Sequence, residues 1–66
     1  MEEDRIVDEV LNRLAPEFRE VLVLKDMEGQ KYEAIAQKLR LPVDVVRRRL
    51  QQARAELRAI LQREEE

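Results

Sequence analysis

Apolar residues recur at spacings of three and four along most of the chain, which is the period of an amphipathic α-helix. The first stripe predicts a helix from about Glu3 to Leu14. Pro16 ends this helix, because the residue before a proline is pushed away from helical angles, and the same proline suits the first turn of a second helix. That second helix is predicted to run to about Met27 and to end at Gly29 in a left-handed conformation.

Two more helices follow in the second half of the chain. The pattern predicts a short helix over about 31–39, a brief connector over 40–42 and a long helix that begins near Pro42 or Val43 and runs beyond Leu61. The sequence thus predicts a compact all-α domain of three to four helices that spans residues 1–66. The apolar stripes of the last two helices consist of Tyr32, Ile35, Ala36 and Leu39, and of Val46, Leu50, Ala53, Leu57 and either Ile60 or Leu61.

Composition narrows what such a domain can do. The 66 residues fit one small domain, and they include no Cys, His, Ser or Thr. These absences exclude a disulfide framework, a zinc site built from Cys or His, a nucleophilic cysteine and a Ser-His-Asp arrangement. We therefore expect no catalytic site, no metal site and no cofactor. No apolar run is long enough to cross a membrane and the N-terminus is acidic, so we expect a cytoplasmic protein without a membrane partner.

The formal net charge of −2 hides a strong polarity along the chain. Residues 1–36 contain five basic and ten acidic groups, whereas residues 37–63 contain eight basic and two acidic groups. A net-basic final helix is typical of a surface that binds a polyanion. Charge alone equally allows a solvated helix face, since arginine is a good helix former. The three glutamates at 64–66 are predicted to fray, because negative charge is unfavourable at a helix C-terminus.

The arrangement of the last two helices favours a DNA-binding function. A short helix, a tight connector and a longer helix with arginines near its start predict a helix-turn-helix over about 31–54. The first turns of the second helix of this motif enter the major groove, where arginine reads guanine and glutamine reads adenine. The candidate base-reading residues are Arg47, Arg48, Gln51 and Gln52, and the candidate phosphate contacts are Lys31, Arg40, Arg49 and Arg54.

These residues carry a family resemblance over about residues 10–61. The stretch 14–29, LAPEFREVLVLKDMEG, resembles the start of region four of bacterial sigma factors of the extracytoplasmic-function type. The motif YEAIA at 32–36 and the segment VRRRLQQAR at 46–54 continue the resemblance in register. The resemblance implies binding of double-stranded DNA at the −35 promoter element and docking on the flap of the RNA polymerase β subunit. An anti-sigma-like protein and a second copy of the chain are further partners that it allows.

The chain departs from the family pattern at positions that face DNA. Lys31 replaces the usual serine before the third helix, Arg40 replaces a glycine in the turn, and Asp44-Val45 replaces Gly-Thr. Arg48 stands where the family has serine. A non-glycine residue at positive φ would strain the turn. The alternative is a protein-interaction or redesigned scaffold domain that keeps the fold, has lost DNA binding, and self-associates through Leu57, Ile60 and Leu61.

Overall fold

The computed structural model describes the backbone of residues 8–65 and the side chains of residues 8–63. Within that part of the chain all regular secondary structure is helical, which confirms the predicted all-α fold. The predicted helix start at Glu3 and the apolar positions Ile6 and Val7 lie outside the described residues. None of the described helices is long and apolar enough to cross a membrane.

The described helices fall close to their predicted positions. Residues 8–12 form the described part of α1. Helix α2 spans Pro16–Leu22, with the proline at its first position as predicted, and α3 spans Tyr32–Leu39. Helix α4 spans Val43–Glu65, so it is helical almost to the end of the acidic tail, and the fraying of residues 64–66 stays a prediction.

The second helix does not keep α-helical geometry to its end. After α2 the chain continues as a π-helical segment, Val23–Met27, in which the carbonyl of Val23 accepts the N–H of Glu28 five residues later at 2.9 Å. Gly29 follows at φ 73°, which confirms its predicted left-handed conformation. A π turn holds more residues than an α turn, so it rotates the side chains that follow around the helix axis. The sequence pattern predicted the length of this helix but not the wider turn.

The buried apolar side chains form two clusters, and α4 contributes to both. The first cluster joins α4 to α2 and to the residues before α2, and the second joins α4 to α3 and the π-helical segment. Tyr32 and Leu39 pack against both clusters, so they connect the last two helices to the rest of the domain. Ile60 is 5% exposed and Leu61 is 43% exposed, which settles which of the two is a core position. The clusters are Val10, Leu14, Val21, Leu22, Leu50, Ala53 and Ile60, and Leu24, Ile35, Ala36 and Val46.

The connector between α3 and α4 turns at a left-handed arginine. Arg40 has φ 58° and ψ 46°. The N–H of Leu41 donates to the carbonyl of Ala36 at 2.9 Å, and the N–H of Arg40 donates to that of Gln37 at 3.3 Å. This is the hydrogen-bond pattern of a Schellman motif, whose left-handed position is usually glycine. The connector therefore has the geometry that a glycine would adopt without strain.

Replacing Arg40 with glycine is expected to stabilise the domain. The left-handed conformation costs an L-residue about 1–2 kcal/mol, and the greater freedom of glycine in the unfolded chain offsets about 0.5–1 kcal/mol of the gain. We expect Arg40→Gly to raise the free energy of unfolding by about 0.5–1 kcal/mol, as measured by urea denaturation. Arg40→Ala is the control, because it removes the same guanidinium and keeps the strained backbone. A glycine variant no more stable than the alanine variant would contradict strain at this turn.

Candidate nucleic-acid interface

Helices α3 and α4 pack as a helix-turn-helix, as the sequence predicted. Ile35 and Ala36 of α3 are buried in one cluster with Val46 of α4. Helix α4 starts directly after the connector, where the carbonyl of Pro42 accepts the N–H groups of Val45 and Val46 at 3.1 and 3.2 Å. The apolar contact holds the first turns of α4 against α3 and leaves the opposite side of α4 in solvent.

The four candidate base-reading side chains lie on that outer side. Positions four apart on a helix are neighbours on one face, so Arg47 lies next to Gln51 and Arg48 lies next to Gln52. All four residues are exposed, whereas the positions that interrupt them are buried or half-buried. The first turns of α4 therefore present two guanidinium and two amide groups side by side. Their role in reading bases stays a prediction.

The four candidate phosphate-contacting residues lie around this face. They differ in their exposure and in whether they already have a partner. Lys31 is exposed directly before α3, where no side-chain hydrogen bond caps the helix, and Arg40 is exposed in the connector. Arg49 is half-buried on α4. Arg54 is exposed, but its guanidinium already forms an ion pair with a carboxylate. These four assignments also remain predictions.

The partner of Arg54 is Asp26 in the π-helical segment. The Nε and Nη2 groups of Arg54 donate to Oδ2 and Oδ1 of Asp26 at 2.9 and 2.5 Å. The hydrogen bond from Arg54 holds the pKa of the Asp26 carboxyl below its ordinary value, although partial burial acts in the opposite direction. The two residues are 28 positions apart in the chain, so no local pattern could have indicated the pair. A guanidinium uses the same two-pronged geometry to bind phosphate.

The Asp26–Arg54 pair predicts a small, pH-dependent contribution to stability. Because the folded pKa of Asp26 is lowered, its contribution is present above the unfolded value of about 3.9 and is lost as the pH falls through the folded pKa. The two side chains are 35% and 46% exposed, so solvent screening limits the pair to about 0.5 kcal/mol. We expect Asp26→Asn to lower the free energy of unfolding by that amount at pH 7.

Urea denaturation at pH 7 and at successively lower pH tests this expectation, and the difference between wild type and Asp26→Asn should shrink below about pH 4. Glu56→Gln is the matched control, because Glu56 is an exposed carboxylate on α4 with no basic residue three or four positions away. A deficit of the asparagine variant that stays constant down to pH 2 would show that the effect does not come from the carboxylate charge.

Tyr32 forms a second link between the π-helical segment and α4. The ring is half-buried and packs against both core clusters, in agreement with its place in the predicted apolar stripe of this helix. Lys25 Nζ lies over the ring at 4.6 Å from its centroid, and Arg47 Cζ lies over it at 5.2 Å. Both distances are within the range of cation–π attraction. One candidate base-reading arginine is therefore in contact with an aromatic residue of α3.

Comparison with known proteins decides the family of this chain. A family model described as "Sigma-70, region 4" matches residues 4–57. The match covers α2, α3, the connector and about the first two thirds of α4, and thus every candidate DNA-contacting residue. The chain belongs to the sigma-70 region 4 family. This result confirms the resemblance that the sequence motifs carried, and it makes the domain one of a family of helix-turn-helix transcription domains.

A full-length relative agrees with the family match. The chain is 41% identical over 64 residues to a protein named "Probable RNA polymerase sigma factor RfaY" from Xanthomonas campestris pv. campestris. The alignment covers 96% of this chain and 16% of that relative, so the similarity concerns a small part of the larger protein. No solved structure gives a significant match.

The positions at which the sequence departs from the family pattern are exposed or half-buried. Arg40 adopts a left-handed conformation, which glycine adopts without strain. Asp44 lies in the first turn of α4, where a negative charge interacts favourably with the helix dipole. Arg48 is exposed and adds a second guanidinium to the outer face of the helix. The substitutions change the chemistry of the surface while the hydrophobic contact between α3 and α4 remains.

Proposed function

We propose that this region 4 domain binds double-stranded promoter DNA sequence-specifically, as a reader of a −35 element in transcription initiation. The observation that carries the proposal is the outer face of α4, which presents Arg47, Arg48, Gln51 and Gln52 together at the start of the second helix of a helix-turn-helix. Arginine and glutamine are the side chains that form two-pronged hydrogen bonds with guanine and adenine in the major groove.

The mechanism is positioning rather than chemistry. Phosphate contacts set the register of the domain on the duplex, and base contacts select the sequence. Lys31, Arg40 and Arg49 supply phosphate contacts around the reading face. Arg54 can add a further one through the N–H groups that Asp26 does not use, although the carboxylate partly neutralises its charge. The acidic segment that precedes Lys31 repels phosphate, so it faces away from the duplex.

A salt titration tests this function. The probe is a fluorescent duplex that the wild-type domain selects from a random-sequence pool, and anisotropy gives Kd at several salt concentrations between about 50 and 200 mM. Three phosphate contacts predict a slope of about −3 in a plot of log affinity against log salt. A domain with an intact helical circular dichroism spectrum that binds no duplex at 50 mM salt would refute DNA binding.

We also propose that this domain docks on RNA polymerase through an apolar groove. The groove is formed by α1, α2, the π-helical segment and the C-terminal part of α4. The groove is lined by Val10, Leu11, Leu22 and Leu57, by the exposed side chains of Met27 and Leu61, and by Asp26. Met27 is 58% exposed and Leu61 is 43% exposed, which is costly for large apolar side chains unless a partner covers them. The family resemblance names the flap of the β subunit as that partner.

Placing a charge in the groove is expected to weaken docking without changing DNA binding. Leu61→Glu puts a carboxylate on the apolar surface, and we expect at least a tenfold loss of affinity for the isolated flap, measured by calorimetry, because a buried unpaired charge costs more than about 1.4 kcal/mol. Gln62→Glu is the matched control, since it adds the same charge at the adjacent exposed position. Equal effects of the two variants would contradict the groove as the docking site. Sedimentation of the free domain tests whether a second copy of the chain binds in the groove instead, because self-association would then be observed.

A further inference from the structure

The contact between Arg47 and Tyr32 differs from the contact between Arg54 and Asp26. Asp26 accepts hydrogen bonds from two N–H groups of Arg54, so that edge of the guanidinium is occupied. Tyr32 instead lies under the guanidinium of Arg47, at 5.2 Å from ring centroid to Cζ. A cation–π contact uses the face of the guanidinium and leaves the N–H groups at its edge free. Within residues 8–63, no hydrogen bond or ion pair occupies Arg47.

Tyr32 is itself held in place by its surroundings. The ring packs against both core clusters, and the Nζ of Lys25 lies 4.6 Å from its centroid. A half-buried aromatic residue has few rotamers open to it, so it forms a rigid surface for a long, exposed side chain. Arginine has a flexible side chain, so it loses rotamer entropy when it becomes ordered. An arginine that is already oriented in the free protein loses less of this entropy when it meets a base.

We propose that Tyr32 is a positioning residue for Arg47: its ring orients the guanidinium towards the major groove before DNA binds and leaves the donors free for a base edge. The proposal rests on the proposed DNA-binding function. It makes Tyr32 of α3 a further residue that influences which DNA sequence the domain binds. Tyr32 acts through Arg47 and not through a hydrogen bond of its own hydroxyl group. Arg48, which has no such contact within the described side chains, is the internal comparison.

Substitution of the ring tests the proposal on the duplex that the wild-type domain selects. Tyr32→Leu removes the aromatic face and keeps an apolar side chain, and we expect Kd to rise about two- to fivefold, the range of an exposed cation–π contact. Tyr32→Phe keeps the ring and should bind as the wild type does. The salt slope should stay unchanged in both variants, because neither loses a charge. A loss of affinity in Tyr32→Phe would show a direct contact of the hydroxyl group and overturn the proposal.

A double-mutant cycle separates positioning from a general structural role. Tyr32→Leu should have no effect on Kd when Arg47 is already alanine, and its full effect when Arg48 is alanine. Equal effects in the two backgrounds would refute positioning through Arg47.

The Nε–H proton of Arg47, observed by NMR in the free domain, provides a readout that does not depend on DNA. The aromatic ring current should shift its signal in wild type and Tyr32→Phe but not in Tyr32→Leu. An unshifted signal in the wild type would refute the contact, whereas a wild-type domain that selects no duplex would refute the DNA-binding function instead.

Discussion

Leu50→Ala is expected to remove most of the stability of this domain. Leu50 is 1% exposed in the N-terminal half of α4, where it belongs to the cluster that joins α4 to α2. A buried leucine truncated to alanine costs about 3–5 kcal/mol, because the lost transfer free energy adds to that of the cavity. A domain of 66 residues has a total stability of only about 3–10 kcal/mol. The variant should therefore be partly or fully unfolded at 25 °C.

Urea denaturation followed by circular dichroism measures this loss. Leu61→Ala is the matched control, because it makes the same chemical change on the same helix at a position that is 43% exposed. The two substitutions share their change in helix propensity, so the difference between them reports burial. We expect Leu61→Ala to shift the free energy of unfolding by about 0.5 kcal/mol or less. Similar effects at Leu50 and Leu61 would contradict the position of α4 against α2.

Arg47→Ala is expected to produce the largest loss of DNA binding among single substitutions on the outer face of α4. A two-pronged contact between arginine and guanine is worth about 1–3 kcal/mol, which corresponds to a Kd about 5- to 150-fold higher on the selected duplex. Binding to unrelated duplexes should change little, so the ratio of specific to non-specific affinity should fall. This loss of discrimination distinguishes a base-reading arginine from one that contacts only phosphate.

Arg58→Ala is the matched control for Arg47. Both residues are exposed arginines of α4, and the eleven positions between them correspond to about 16 Å along the helix axis, so Arg58 lies beyond the helix-turn-helix. Both variants lose one positive charge, and any difference between them therefore reflects position. If the two variants bind the selected duplex equally weakly, Arg47 contributes only to the general positive field of the domain.

Helix boundaries depend on neighbouring residues and could be predicted from the sequence, whereas burial also depends on packing between helices. Pro16, Gly29 and the connector 40–42 each act on the backbone of their own neighbourhood, and the structure places helix boundaries at all three. The spacing of apolar residues on α4 likewise indicated which side is buried. The choice between Ile60 and Leu61 was beyond this pattern, since both fit a helical stripe and only the packing of α4 against its neighbours distinguishes them.

The spacing of apolar residues could not predict the π-helical segment. An apolar stripe tolerates one wider turn without a break that is visible in the sequence. Lys25 and Asp26 lie in this segment, and their contacts with Tyr32 and Arg54 join it to α3 and α4. A charged residue on a helix surface does not indicate its partner when that partner lies on another helix. The sequence predicted Arg54 as a phosphate contact but did not indicate its pairing with Asp26, which only the structure shows.

The amino-acid sequence by itself determined the four-helix pattern, the helix-turn-helix and the family, because these depend on backbone propensities, apolar spacing and motifs within short stretches of chain. Its near-neutral total charge also concealed a net-basic final helix that the order of residues reveals. Only the tertiary structure decided the state of the individual arginines on α4. Arg47 rests on an aromatic ring and Arg54 is bound to a carboxylate, since folding brings residues that are 15 and 28 positions away into contact with them.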